Sequence, residues 1–195
     1  MKDDLRRALV RIAKEDPVAL ASAVIIITLV TISVLAPFLA PFDPYAVDLS
    51  SRLKGPGGDH PLGTDELGRD ILSRVLFGGV YTLGIALLAV ALASLIGTIT
   101  GLISGYYGGA VDIILMRVVD VMLAFPGILL ALVIAGLMGS SPTNLAFALA
   151  LTGWPAYTRL ARASSLTLKE QGYIKTAKII RAPARHILLR HILPN

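Results

Sequence analysis

The sequence has 195 residues and no cysteine, which excludes a disulfide-stapled secreted scaffold. Charge is scarce: Asp, Glu, Lys and Arg make up 16% of the chain, against about 25% in ordinary soluble domains. Acidic residues are missing from the interior of every long apolar run, where a proton-coupled carrier would need one. Also absent are the GxSxG, P-loop, HExxH and CxxC motifs. The chain is therefore not an enzyme by any motif it carries, and if it works on ATP another chain must hold the ATP. What it does have is apolar residues, 55% of the total, with a mean hydropathy of +0.73. So much apolar surface cannot be hidden inside one small globule, and disorder needs low hydrophobicity. Lipid is the solvent that accepts such a surface. The net charge of +5 could suit nucleic acid, but the charges flank apolar runs, which points to membrane and not to nucleic acid.

Three stretches are free of charge: 26 residues between Asp16 and Asp43, 37 between Arg74 and Asp112, and 38 between Asp120 and Arg159. A helix needs about 20 apolar residues to cross a bilayer. The first stretch supplies one crossing near residues 18–39, too long for the 7–15-residue core of a signal peptide and so read as a retained anchor. The second supplies one near 81–103. The third is split by the turn cluster 139–144 into 121–138 and 145–157. Its second half spans only if the helix continues toward Leu166 with Arg159 and Arg162 in the headgroup layer. The expected fold is an all-α polytopic membrane protein with about four crossings. Its segments are a cytoplasmic N-terminal segment (1–17), a first transmembrane helix (18–39), an external loop with an interfacial helix (40–80), a three-helix transmembrane core (81–168) and a cytoplasmic C-terminal segment (169–195). Four crossings put 14 of the 18 Lys and Arg on one side with both termini, and the positive-inside bias makes that side the cytoplasm.

In the external loop, Thr64 or Asp65 can cap a helix start, and Ile71, Leu72, Val75 and Leu76 share one helical face. Asp70 and Arg74 stand at i,i+4. This predicts an amphipathic helix on the outer membrane surface. Asp59, His60, Asp65, Glu66 and Asp70 match no metal-ligand spacing, so neither a metal nor a cofactor is expected. Gly97, Gly101, Gly105 and Gly109 form a row at spacing four, extended by Ala93, that lets another helix approach closely, within the chain or between subunits. Asp112, Arg117 and Asp120 bracket the start of the third crossing, with Arg117 and Asp120 positioned to pair. Pro126-Gly127 and Trp154-Pro155 should kink the third and fourth crossings. His186 and His191, five apart, do not share a helical face. Residues 171–181 read as a short basic amphipathic helix ended by Pro183, suited to anionic headgroups or to a soluble partner.

Taken in order, several motifs resemble one family. They are Leu62-Gly63-Thr64-Asp65-x-x-Gly68-Arg69-Asp70-Ile71-Leu72-Ser73-Arg74, then Gly105-Tyr106-Tyr107-Gly108-Gly109-x-x-Asp112, Met116-Arg117-x-x-Asp120 and Phe125-Pro126. Gly153-Trp154-Pro155-x-Tyr157-x-Arg159 follows, then Tyr173-Ile174-Lys175-Thr176-Ala177 and the closing Arg190-His191-Ile192-Leu193-Pro194-Asn195. The chain resembles the permease subunit of a type I ABC importer, of the dipeptide, oligopeptide and nickel group. The resemblance implies a second permease subunit, two cytoplasmic ABC ATPase subunits and an external solute-binding protein as partners, in the inner membrane of a prokaryote. It further implies that Tyr173, Ile174, Lys175, Thr176, Ala177, Lys178 and Arg181 form the helix that couples to the ATPase. The family's Glu-Ala-Ala is Lys175-Thr176-Ala177 here, its loop glycine falls on Arg181, and Val80 stands where the group often has arginine. In the family two crossings follow the last motif, which makes a chain truncated after that loop an expectation. A truncated or degenerate membrane scaffold without transport activity is the alternative. A self-contained channel or carrier would place polar groups inside the crossings, where this sequence has few.

Overall fold

A computed structural model describes residues 17–194. The expected cytoplasmic segment 1–17 lies outside the described residues except for Pro17, and so do Asn195 and the side chain of Lys178. The described residues are helical apart from loops and two isolated bridges, Gly57 with His60 and Thr64 with Asp70. The helices are α1 (Pro17–Val34), α2 (Ala36–Leu39), α3 (Ile71–Tyr107), α4 (Gly109–Ala124), α5 (Gly127–Met138), α6 (Pro142–Lys169), α7 (Gly172–Ile179) and α8 (Ala184–Ile187). A single 3-10 turn covers Leu49–Ser51, and a π turn covers Leu188–Ile192. The chain divides into two compact units, Met1–Gly84 and Ile85–Asn195, with the boundary inside α3.

In the first unit α1 is apolar on every side and long enough to cross a bilayer. The first crossing was expected to run to residue 39. Its long part stops earlier, at Val34, because Pro37 has no N–H to continue the ladder, and the chain re-forms only the one-turn helix α2. Residues 40–70 form a folded loop. The expected interfacial helix is not a separate element: residues 71–80 are the first turns of α3.

The second unit holds the rest of α3 and everything after it. At about 1.5 Å per residue, the 37 residues of α3 measure about 55 Å, well beyond the bilayer's apolar thickness of about 30 Å. Helices α4 and α5 meet at a bend of 88°. Phe125, forced out of the helical region by Pro126, is extended there (φ −93°, ψ 142°). Pro155, by contrast, sits buried inside α6, and the helix continues through it. By length and apolarity two described helices, α1 and α3, can each cross a membrane, and the bent pair makes up to three. The expected fourth, α6, has the length at 28 residues but is less apolar than α1 and α3. It lies against α4 and α5 and buries Ala146, Ala148 and Ala150, so helices take part of the place of lipid around it.

Candidate functional site

Two clusters of the expected site residues are described, one in each unit. In the first, Asp70 stands just before α3. Its Oδ2 accepts from the Ser73 N–H and from the Ser73 hydroxyl, both at 2.7 Å, which caps the helix. Its Oδ1 lies 3.0 Å from His60 Nδ1, and the Ser73 hydroxyl accepts from the Phe42 N–H at 3.1 Å. Asp70 is 2% exposed. Burial alone would raise its carboxyl, but the bonds from Ser73 and His60 outweigh burial and hold it below 3.8.

Asp65 does not cap a helix, and neither does Thr64. The Asp65 Oδ1 accepts from the N–H groups of Leu67 (2.8 Å) and Arg69 (3.0 Å), and Oδ2 takes Arg69 Nε at 2.8 Å. Burial would raise this carboxyl too; the two N–H groups and the Arg69 guanidinium lower it overall. Arg74 reaches Asp65, not Asp70, at 3.5 Å, because both Asp70 oxygens are already engaged. Thr64 donates its hydroxyl proton to the Ser51 carbonyl and accepts from the Lys54 N–H. Gly63 and Gly68 have φ of +78° and +73°. A Cβ on Gly68 would run into the Asp48 carbonyl, so this turn needs glycine for both its torsion and its space. Asp48 was not singled out from the sequence. The Ser50 hydroxyl, then Ser51 and the Ser50 N–H, hold its carboxyl at about 2. Asp followed two residues later by Ser is a turn-capping signal that points to it.

In the second unit α3 and α6 meet along the glycine row. A Cβ would fall 2.5 Å from Tyr157 Cβ at Gly97, 2.5 Å from the Thr158 carbonyl at Gly101, and 2.7 Å from Ser165 Cβ at Gly105. Gly109 is not part of the seam: it opens α4 with φ +55° and meets nothing. Beside the seam, Asp112 takes Arg162 in a two-pronged pair at 2.5 and 2.6 Å and accepts from Ser104 at 2.5 Å. Asp120 pairs with Arg159 at 2.6 Å, not with Arg117. Both α6 arginines are therefore paired with α4 carboxylates. Nothing local in the sequence signals a pair 50 residues apart.

Beyond α6, the α7 side chains Ile174 and Ala177 are buried with Leu102 of α3 and with Ile187 and Ile192. Tyr173, Lys175, Thr176, Ile179 and Arg181 lie exposed around the rest of the helix. Lys175 pairs with Glu170 at 2.9 Å. Arg181 takes φ +56°, and the Ala182 N–H reaches back to the Ala177 carbonyl at 3.0 Å. That is the helix end in which a left-handed residue, usually glycine, closes the last turn. The two histidines do meet. The π turn, with Leu193 N–H bonded to the Leu188 carbonyl, stacks residues five apart, and the His186 and His191 rings lie edge to face at 5.3 Å. Among the described residues no group of three or more His, Cys, Asp or Glu is placed to hold a metal.

Residues 97–195 match the family described as the binding-protein-dependent transport system inner membrane component, and residues 5–56 match the N-terminal transmembrane domain of oligopeptide transport permease C. The chain belongs to the binding-protein-dependent inner membrane component family. An Escherichia coli (strain K12) protein described as a probable D,D-dipeptide transport system permease is 40% identical over 187 residues, 96% of this chain and 63% of that protein. A glutathione transport system permease of Pectobacterium atrosepticum is 43% identical over 179 residues, 91% of this chain and 60% of its own length. A dipeptide transport system permease of Haemophilus influenzae is 38% identical over 188 residues, 93% of this chain and 64% of its own. The chain thus spans between 60% and 64% of these three relatives. As an inner membrane component it is a multi-pass helical membrane protein; the loop of residues 40–70 begins within the N-terminal match and runs past it, and α7 lies within the other match.

Proposed function

We propose that this chain builds part of the membrane pathway of an ATP-driven importer and moves short peptides inward by alternating access. The names of its relatives, which concern dipeptides and glutathione, favour peptides over nickel-type solutes. The partners are a second permease, two cytoplasmic ATPases that hold and hydrolyse the ATP, and an external binding protein that delivers the solute. Residues 40–80 and 139–144 face outside, and the N-terminus and the segment after α6 face the cytoplasm, as the Lys and Arg distribution asks. Crossing four times then requires α4 and α5 to act as one broken span and α6 as another.

The observation that carries the reading is the α7 arrangement. A short helix is fixed on one side by Ile174 and Ala177 and leaves Tyr173, Lys175, Thr176 and Ile179 open on the other. A lever needs this: a rigid joint to the membrane helices and a free face for the motor. The apolar joint runs through Leu102 to α3, so a push on α7 is delivered to a long helix. The alternative of a degenerate scaffold rests on Lys175 and Arg181. Both are accommodated, Lys175 by Glu170 and Arg181 by the left-handed helix end, which favours a working joint. The test is recovery of an ATPase subunit with the tagged chain from native membranes. Recovery is expected, and it should rise in the double variant Lys175→Glu with Arg181→Gly. If neither chain recovers an ATPase, the coupling role is wrong.

A further inference from the structure

The first unit contains a cleft between the loop and the first turns of α3. Its volume is about 270 Å3, and its lining includes Tyr45, Arg69, Arg74, Gly78 and Tyr81. Ligand pockets for drug-sized molecules run to about 300–1,000 Å3, so this one is sized for an end group and not for a whole large ligand. The charges in it do not cancel. Arg69 is committed to Asp65 by a 2.8 Å bond, and Asp65 has already accepted two backbone N–H groups. Arg74, the second guanidinium, touches the same carboxylate only at 3.5 Å and keeps 40% of its side chain exposed. Such a loose, exposed pair adds little stability, so it does not tie Arg74 down. Asp43 does not line the cleft; its Oδ1 accepts from the Tyr45 N–H at 2.8 Å. Across the cleft, the Tyr45 hydroxyl donates to the Tyr81 hydroxyl at 3.0 Å, which leaves the Tyr81 proton to donate onward. The cleft therefore offers a guanidinium fork and a phenolic O–H, all donors, against one carboxylate already shared.

We propose that this cleft is a binding subsite for an oxyanion, held by the Arg74 guanidinium and the Tyr81 hydroxyl. The planar fork of arginine matches a carboxylate or a phosphodiester in two-pronged fashion. The oxyanion has two possible sources, the terminal carboxylate of a short peptide and the headgroup of an anionic lipid. Only the choice of a peptide as probe rests on the import function proposed above. Occupancy is read without transport, so the two ideas can fail separately.

The experiment is labelling of the intact chain in lipid discs with phenylglyoxal, which attacks free guanidinium groups, with each arginine quantified by mass spectrometry. In phosphatidylcholine discs, dialanine should protect Arg74 several-fold while dialanine amide does not, with exposed Arg117 as the unprotected reference. Protection in phosphatidylglycerol discs without peptide assigns the same site to a lipid headgroup. In Tyr81→Phe, the dialanine concentration giving half protection should rise about two- to tenfold, the value of one hydrogen bond. Full labelling of Arg74 under every condition overturns the site, and an unchanged half-protection value in Tyr81→Phe overturns the tyrosine's part in it.

Discussion

The loop of residues 40–70, almost without regular structure, and the segment of residues 172–193, built of short helical pieces, are held by opposite forces. In the loop, carboxylates organise the chain: Asp48, Asp65 and Asp70 together accept from seven groups of Ser50, Leu67, Arg69 and Ser73. In the C-terminal segment, apolar side chains do so: Ile174, Ala177, Ile187 and Ile192 close on Leu102. The difference teaches where each can be perturbed. Polar bonds are directional and fail with protonation or with one lost acceptor. Apolar contact is non-directional and fails with lost volume.

The largest effect should come from volume. Ile174→Ala removes a fully buried side chain and should cost about 2–5 kcal/mol. Hydrogen exchange should speed up across 172–193 and leave 46–70 unchanged. Equal acceleration in both segments would break the comparison.

Asp70→Ala comes next. It removes the cap of α3 and leaves the Ser73 N–H, the Ser73 hydroxyl and His60 without their shared acceptor. A lost cap costs about 0.5–2 kcal/mol and a buried orphan about 1–3. The expected readout is faster proteolysis of the 46–70 loop, with 172–193 still protected.

Acid is a milder form of the same change. The Asp48, Asp65 and Asp70 carboxyls all sit below 3.8, Asp48 at about 2. A depressed pKa stabilises the fold above the unfolded value and loses that contribution as pH falls through the folded one. Proteolysis of the loop by an acid-active protease should therefore speed up from about pH 4 down to about pH 2. The apolar C-terminal segment should show no such window.

These regions also differ in how far the sequence revealed them. The apolar one was legible, because Ile174 and Ala177 repeat at helical spacing and Pro183 marks the stop. The loop was not, because its fold rests on partners such as His60 with Asp70 and Asp48 with the Gly68 turn, which no local periodicity encodes. The reading of Asp65 as a helix cap failed for that reason: a carboxylate in a loop can turn back on the chain instead of opening a helix. The His186–His191 contact was hidden by assuming an ordinary helix where a π turn shifts the period to five. The glycine row was legible except at Gly109, where the helix had already ended.

The smallest effect tests the helix end. Arg181 sits in a left-handed conformation that costs a non-glycine residue about 1–2 kcal/mol. Arg181→Gly should stabilise α7 by about 1 kcal/mol, seen as slower exchange at the Ile180 and Ala182 amides. Faster exchange there would mean that the arginine side chain, and not the torsion, holds the turn.

The central claim is that the exposed face of α7 meets the ATPase. The absence of cysteine makes it directly testable, since one introduced thiol is the only one in the chain. Thr176→Cys, on the exposed face, and Ile174→Cys, on the buried face, are each treated with a thiol-to-amine cross-linker in native membranes. The account predicts an adduct with an ATPase subunit from Thr176→Cys and none from Ile174→Cys. No adduct from Thr176→Cys, or an equal yield from both positions, would contradict it.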